Sequence, residues 1–299
     1  MIYLILSIFF TILVAPIFRF FDNRGLPTII AYIITMSGFV LIFTSIFYIV
    51  SNSTSEFTSN LPLYKDRLIS LLNNLNQLLS RYNYTIDTNI IKNIDFVSIL
   101  KGFFSKAGTI FSGLFIVIIG VSFLLFESKN FSKKIDTLNI KSIDFNSFIA
   151  SVQKYFIIKF FTSLLTGLLV GISLYFYDMP YFFLFGFLAF ILNFIPVVGS
   201  IIASIPALLV AIITYGLETT IILGVIYFVI NISVSNIVEP KIMGDGLNLS
   251  PAVIFFSLIL WGWIFGIVGT FFAVVLTMTL KIALQSSGKT KNLANLLSR

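Results

Sequence analysis

Hydrophobic positions in this chain occur in long blocks, and polar positions are gathered between them. An apolar run of about 20 residues is long enough to cross the hydrocarbon core of a bilayer as a helix. The first four blocks of this kind are residues 1–18, 28–50, 109–126 and 156–177. The pattern therefore predicts an all-α, polytopic membrane protein.

Two polar segments, residues 51–106 and 127–154, interrupt these blocks. In the first, apolar residues recur every three or four positions, which predicts an amphipathic helix. Asn60 is its expected N-cap, and Pro62 then lies in the first turn. A weaker pattern over residues 90–97 supplies a partner, so we expect a small helical hairpin domain outside the membrane. A helix lying on the membrane, or an oligomer contact, would give the same stripe.

The fourth block has a polar face with small residues beside it. Small residues and hydroxyls let helices approach closely, so we favour packing against other helices, with a solute path as the alternative. Lys159 is expected to snorkel toward the cytoplasmic interface, with a functional contact as the alternative. The face comprises Lys159, Ser163, Thr166, Gly167, Gly171, Ser173 and Tyr177.

Beyond residue 180 the apolar segments become short. Residues 180–195 and 200–215 form two segments of 16 residues each, about 24 Å of helix against a hydrocarbon core of about 30 Å. Proline frees backbone groups that lipid cannot hydrate, so a break here needs protein or a water-filled cavity beside it. We predict a re-entrant broken hairpin, with a kink used only for packing as the alternative. The interrupting residues are Asn193, Pro196, Gly199 and Pro206.

The next segment, residues 219–236, is long enough to cross the membrane. Asn231, Ser235 and Glu239 lie at i, i+4 and i+8, so a continuous helix places them on one face. They are candidates for solute contacts, and hydrogen bonding between helices is the alternative. Residues 237–250 have the turn residues and charges of a loop. Its further candidates are Pro240, Gly244 and Asp245.

The last apolar stretch, residues 251–283, is too long for one ordinary span. Gly262, Gly266 and Gly269 interrupt it, which predicts a second hairpin. Two interrupted hairpins that flank one span are typical of secondary transporters with broken helices. The chain then crosses the membrane five times if neither hairpin crosses, and nine times if every half crosses.

Composition and charge support the membrane assignment. Of the 299 residues, 58% are hydrophobic and 10% are charged, and 19 Lys and Arg exceed 12 Asp and Glu. In this class of protein the excess reflects the positive-inside bias, so we expect no nucleic-acid partner. The basic tail predicts a cytoplasmic C-terminus, and Arg19 and Arg24 predict an N-terminus facing outward. Residues 1–18 lack a basic n-region and a cleavage site, which indicates a retained span and not a signal peptide.

The chain therefore divides into four parts. Residues 1–50 hold two spans, 51–106 the polar domain, 107–284 the transport core and 285–299 the basic tail. The chain contains no Cys and no His, which excludes cysteine nucleophiles, thiolate metal sites, Ser-His dyads and HExxH metalloproteases. No Walker A motif occurs, so transport is expected to be passive or gradient-driven, with energy supplied by a partner as the alternative. We expect no enzymatic activity, no cofactor and no metal.

Four short motifs occur along the chain. An N-terminal pattern includes Pro16, Arg19 and residues 24–27, and NFIPVVG follows at 193–199 with Pro206 and Ala207 after it. VEPKIMG lies at 238–244, before Leu249, Ser250 and Pro251, and WGWIFGIVGTFFA lies at 261–273. In this combination the chain resembles, over nearly its whole length, the autoinducer-2 exporter (AI-2E) family of permeases.

The resemblance implies a multi-pass transporter of the bacterial plasma membrane that forms a homo-oligomer. Cargoes proposed in the family include the quorum-sensing signal autoinducer-2 and, for some members, sodium or lithium ions exchanged for protons. This chain departs from the family pattern at Ser200 and at Val275, where proline is common. Members usually begin with one more hydrophobic segment than this chain has.

Three hypotheses follow. A permease would use hydroxyls, amides and broken backbone to pass a small polar solute, and this is the favoured function. A cation/proton antiporter needs a carboxylate that titrates within the membrane, and the candidates are Asp178, Glu218, Glu239 and Asp245. A membrane scaffold would tolerate loss of Pro196 and Gly199. The predicted pathway or hinge residues are Asn193, Pro196, Gly199, Pro206, Asn231, Ser235, Glu239, Pro240, Gly244, Gly262, Gly266 and Gly269.

Overall fold

The computed structural model describes residues 2–80, 115–127, 145–196, 198–243 and 249–285, with the single residues 98, 102, 113, 290, 294 and 297. Helices make up nearly all of these residues, and no strand occurs among them. Five of the helices are long and apolar enough to cross a membrane. Trp263, Phe176 and Phe123 are 85, 77 and 75% exposed, as expected where helices face lipid. The predicted all-α polytopic membrane fold is confirmed.

Two of the helices contain a break at a glycine. Gly216 and Gly266 have φ of +82° and +64° with ψ of −174° and −151°, a region that only glycine adopts without strain. Each of these helices therefore consists of two arms joined at one residue. The described elements are α1 (Ile2–Asp22), α2 (Thr28–Leu79), α3 (Phe115–Glu127), α4 (Phe145–Phe176), α5 (Phe182–Leu192), α6 (Val198–Ile232), a π-helix (Ser233–Val238), α7 (Glu239–Met243) and α8 (Pro251–Gln285).

Helix α2 is one continuous helix of 52 residues, so the predicted start of a new helix at Asn60 is wrong. The Ser and Thr hydroxyls before it donate to carbonyls three residues earlier, and this stretch contains no glycine or proline that would end the helix. The Asn60 amide donates to the Tyr181 hydroxyl, 2.7 Å away. Pro62 lies inside the helix and does not end it. The partner pattern at 90–97 lies outside the described residues.

Helix α5 and the first arm of α6 form a hairpin. The start of α5 and the end of the first arm both lie near the C-terminal end of α4. The Tyr215 hydroxyl, at the end of the first arm, donates to the Asp178 carbonyl over 2.6 Å, and α5 begins just after Asp178. Since α5 has 11 residues, it is about 16 Å long. The turn between Leu192 and Val198 therefore lies within the bundle, beside the middle of α4.

Small residues allow α5 to lie close against α4. A Cβ on Gly186 would be 2.9 Å from the carbonyl oxygen of Gly167 and 3.0 Å from the Cα of Gly171. Both distances are shorter than ordinary van der Waals contact. This packing supports the interpretation of the small-residue face as a helix–helix contact.

The two arms of α8 pack against each other in the same way. The Trp261 indole N–H donates to the Thr277 hydroxyl over 2.9 Å, across the break at Gly266. A Cβ on Gly269 would overlap the Trp261 carbonyl, and one on Gly262 would press on a threonine hydroxyl of the other arm. The arms thus form a second helical hairpin.

The second arm of α6 continues through the π-helix into α7 and ends at Met243. The predicted loop over residues 237–250 is therefore wrong in its first half, because the chain remains helical there. Similarly, α4 begins at Phe145, so part of the predicted polar segment 127–154 is helical. In both places polar side chains are carried by a helix that the apolar pattern alone does not reveal.

We expect Gly266→Ala to destabilise the second hairpin by about 1–3 kcal/mol, since alanine at this φ and ψ is strained. Thermal unfolding of the detergent-solubilised protein measures the loss. The matched control is Gly38→Ala in α2, where a Cβ meets no atom within 4 Å and alanine favours the helix. Equal melting temperatures for Gly266→Ala and the unmodified chain would contradict the assigned break.

Candidate functional site

One face of α4 carries the side chains around which the site is built. Lys159, Ser163 and Gly167 are spaced four residues apart, so they lie on one side of the helix over two turns. Lys159 and Ser163 are 3% and 0% exposed. The hydroxyls of Thr162 and Thr166 donate to carbonyls of α4 itself. Lys159 and Ser163 instead have partners on other elements.

Lys159 forms an ion pair with Glu239. Its Nζ lies 2.9 Å from both carboxylate oxygens, and the two side chains are 3% and 16% exposed. The expectation that Lys159 snorkels to the interface is therefore wrong. A carboxylate supplied from 80 residues away in sequence compensates the charge inside the bundle, which removes the need for the ammonium to reach water.

Ser163, one turn further along α4, receives the turn of the first hairpin. The Asn193 amide donates to the Ser163 hydroxyl over 3.0 Å, and both residues are buried. Lys159, Ser163, Asn193 and Glu239 together form what we call the α4 cluster. It joins three elements that are separate in sequence: α4, the turn after α5, and the start of α7.

The turn at this break bonds its own backbone N–H groups, which the sequence pattern did not predict. The N–H groups of Phe194 and Ile195 donate to carbonyls three residues earlier, and the Gly199 N–H donates to the Ile195 carbonyl. A Cβ on Gly199 would overlap the Leu192 carbonyl, so only glycine allows α6 to start this close to the end of α5. The freed backbone groups are thus largely bonded within the turn itself.

A π-helix brings Glu239 to Lys159. The Glu239 N–H donates to the carbonyl of Val234, five residues earlier, as a π-helix requires. The next residue, Pro240, has no N–H, so the helix changes its hydrogen-bond register there with one donor fewer to satisfy. The wider turn alters the simple i, i+4, i+8 spacing that the sequence predicted for Asn231, Ser235 and Glu239.

An aromatic contact links the first hairpin to the second. The rings of Phe194 and Phe271 stack at a centroid distance of 4.6 Å and an angle of 18°. Phe272, next in the chain, stacks on Phe9 of α1 at 4.8 Å. Movement of the Asn193 turn would therefore change the packing of the second arm of α8, and through it that of α1.

The structure separates the other candidates from the α4 cluster. Asp178 and Glu218 lie near the far end of α4, and the helix between Lys159 and Phe176 is about 25 Å long. Of the four proposed coupling carboxylates, Glu239 is the member of the α4 cluster, and Asp245, like Gly244, lies outside the described residues. Pro206 is buried within the first arm of α6, Asn231 and Ser235 are half-buried, and Pro240 is exposed.

Sequence reasoning missed both contacts of the α4 cluster. The signal for the ion pair was present, because Lys159 and Glu239 are a base and an acid in otherwise apolar surroundings. Nothing in the local pattern pairs Ser163 with Asn193, since that contact depends on the depth to which the hairpin enters the bundle.

We expect Lys159→Met to lower the free energy of unfolding by about 3 kcal/mol, because Glu239 is left charged and unpaired. Glu239→Leu should cost a similar amount, whereas the double variant should recover most of the loss, since neither charge remains. Thermal unfolding of the four proteins measures the coupling. Lys241→Met, at an exposed base of α7, is the matched control and should change stability by under about 0.5 kcal/mol. Additive losses in the double variant would contradict the pair.

Known proteins that are similar to this chain are named as transport proteins. The profile of the AI-2E family transporters matches residues 1–288. A Haemophilus influenzae protein named only as a transport protein is 36% identical over 98% of this chain and 88% of its own length. The AI-2 transport protein TqsA of Escherichia coli K12 is 30% identical over the same shares, and the Escherichia coli transport protein YhhT is 27% identical over 98% and 86%. This chain belongs to the AI-2E family of membrane transporters.

Proposed function

We propose that this transporter moves a small polar solute across the bilayer along a path that opens at the α4 cluster. The supporting observation is that polar side chains from α4, from the turn after α5 and from α7 contact one another inside the bundle. Polar and ionisable groups within membrane spans are costly and mark substrate pathways. The cluster combines an ammonium, a carboxylate, an amide and a hydroxyl, which together can bind most small polar solutes.

The contacts of the cluster also suit reversible opening. Lys159 and Glu239 neutralise each other in the closed arrangement, and Asn193 bonds to Ser163. A solute that carries hydrogen-bonding groups can replace these partners one at a time, so separation of the elements does not leave bare charges in lipid. Transport then amounts to exchanging internal contacts for contacts with the solute.

Breaks in the helices supply the hinges that this movement needs. A few residues that absorb a change in φ and ψ suffice for hinge motion, and glycine and proline breaks lie at the turn of the first hairpin and between the two arms of the second. The residues proposed as hinges are Pro196, Gly199, Pro206, Gly262, Gly266 and Gly269. The proposed direct solute contacts are Asn193, Glu239 and Asn231. Ser235, Pro240 and Gly244 adjoin the π-helix and complete the proposed path.

For the energy source and the cargo, the sequence and the names of the relatives support a proposal. The chain has no Walker A motif, so we propose transport down a gradient without ATP hydrolysis by this chain. One relative is named an AI-2 transport protein, which makes an autoinducer-2-like signal molecule the first cargo to test. We further propose a homo-oligomer in the plasma membrane with a cytoplasmic C-terminus.

A sodium or lithium/proton antiporter is the second candidate, favoured by the position of Glu239. Its carboxylate is held by an ammonium that an incoming cation could replace. Antiport requires a carboxylate within the membrane that can bind the cation and the proton in turn. Asp178 and Glu218 lie near the other end of α4, outside the α4 cluster. The antiport hypothesis therefore depends on Glu239.

Reconstituted vesicles test the proposed function. We expect the unmodified chain to take up autoinducer-2 or another small polar solute, and Asn193→Leu or Glu239→Gln to reduce the flux at least about tenfold, because each removes a contact of the cluster. Glu218→Gln is the matched control, since it removes a carboxylate at the far end of α4. Flux is measured as initial rates with and without a proton gradient.

The same vesicles separate the alternatives. Sodium-dependent proton movement that Glu239→Gln abolishes and Glu218→Gln leaves unchanged would favour antiport over the permease. Correctly folded protein that moves no solute and no ion under any gradient would contradict transport and favour a membrane scaffold. Equal flux in Asn193→Leu, Glu239→Gln and the control would place the path elsewhere.

A further inference from the structure

Two polar atoms in the second arm of α6 are buried without a hydrogen-bond partner among the described residues. They are the hydroxyl oxygen of Tyr227 and Oδ1 of Asn231. Tyr227 is 3% exposed, and Asn231 follows it by one helical turn, two residues before the π-helix begins at Ser233. Both atoms therefore lie at the interior of the segment that carries Glu239 to Lys159.

Leaving these groups unpaired is costly. An unsatisfied buried polar group costs about 1–3 kcal/mol, and lipid offers no water to relieve it. Phenylalanine and leucine would fill nearly the same volumes without that cost. Packing therefore gives no reason for a hydroxyl and an amide at these two positions.

The orientation of the Asn231 amide defines which groups are free. Its Nδ2 donates to the Tyr227 carbonyl over 2.8 Å, and the reverse orientation would set two carbonyl oxygens against each other. What remains is one acceptor, Asn231 Oδ1, and one hydroxyl, on Tyr227, that can donate or accept. Each of these two atoms can bond to a hydroxyl group, which offers one donor and accepts as well.

The surroundings of Tyr227 indicate a neutral ligand. Tyr227 belongs to a buried apolar cluster with Ala203, Ala207 and Leu223, and burial of a charge among such side chains is costly unless it is paired. Glu239 lies eight residues further along the chain than Asn231, beyond the π-helix, and its carboxylate is already held by Lys159. Two neutral oxygens would not compensate the lost hydration of a cation.

We propose that Tyr227 and Asn231 form a binding subsite for a neutral, hydroxyl-bearing solute. One hydroxyl group of the solute donates to Asn231 Oδ1, and another accepts from the Tyr227 hydroxyl. The proposal rests on the proposed function and names the chemical class of solute that the path takes. It also assigns to Tyr227 a role in specificity that the sequence pattern did not indicate.

Binding is tested separately from transport, with the full chain in detergent. Glycerol, erythritol and ribose are the neutral probes, sodium chloride is the ionic probe, and the ligand-dependent rise in melting temperature gives the affinity. We expect at least one neutral probe to stabilise the unmodified chain. Tyr227→Phe and Asn231→Leu should each weaken its binding about tenfold, the effect of one lost hydrogen bond to a buried partner.

Two further readouts distinguish a subsite from a structural role. Without ligand, Tyr227→Phe should melt at the same temperature as the unmodified chain or higher, because it removes an unsatisfied hydroxyl. Tyr175→Phe, at a tyrosine 59% exposed on α4, is the matched control and should bind as the unmodified chain does. A loss of stability in Tyr227→Phe without ligand would overturn the proposal, since the hydroxyl would then have a structural partner.

The remaining outcomes also decide the matter. Stabilisation by no neutral probe, equal stabilisation of both variants and the unmodified chain, or stabilisation by sodium that Asn231→Leu abolishes would each overturn the proposal. Vesicles in which the unmodified chain transports a solute with unchanged kinetics in Tyr227→Phe would refute this subsite and leave the proposed function standing. Absence of transport in vesicles, with neutral-probe binding lost in both variants, would refute the proposed function instead.

Discussion

Lipid cannot hydrogen-bond, so a polar group within the membrane bundle is costly unless the protein or a bound solute pairs it, and the Lys159–Glu239 ion pair is where this constraint is strongest. Each charge alone would be costly to bury. Together, at 2.9 Å, they fix the end of the π-helix against α4. The bundle around them is arranged so that a base from one span and an acid from a distant motif meet.

The same constraint accounts for the form of the two broken segments. The turn of the first hairpin closes its own N–H groups with short-range bonds and places its one polar side chain, Asn193, on Ser163. The π-helix shifts the register of the chain at Pro240, which has no N–H to lose. Both irregularities are thus paired at α4, and the Phe194–Phe271 stack connects them to the second hairpin. Coupled movement of the two hairpins follows naturally from this arrangement.

The sequence predicted the fold class because repeated apolar blocks of membrane length are typical of helices that cross a bilayer. It also located the break before Gly199 and the break at Gly266, since the glycines and the proline that permit them are visible locally, but it named no break at Gly216. It failed where partners lie far apart in the chain. Lys159 was predicted to reach the membrane interface because its partner Glu239 is distant in sequence. Asn60 was predicted to cap a helix because its contact with Tyr181 is also distant. The π-helix was missed because its i→i−5 bonds leave no periodic signature over six residues, and Tyr227 because an unpaired hydroxyl cannot be recognised without its surroundings.

The central claim is that the turn after α5 lies against the middle of α4 and must leave it for solute to pass. The chain has no cysteine, so the pair Ser163→Cys and Asn193→Cys can be introduced without background. Oxidation in vesicles should form a disulfide between them and stop the solute flux that the reduced double variant retains, and reduction should restore that flux, while each single variant remains unaffected by oxidant. Failure of the pair to cross-link, or full flux through the cross-linked protein, would contradict the account.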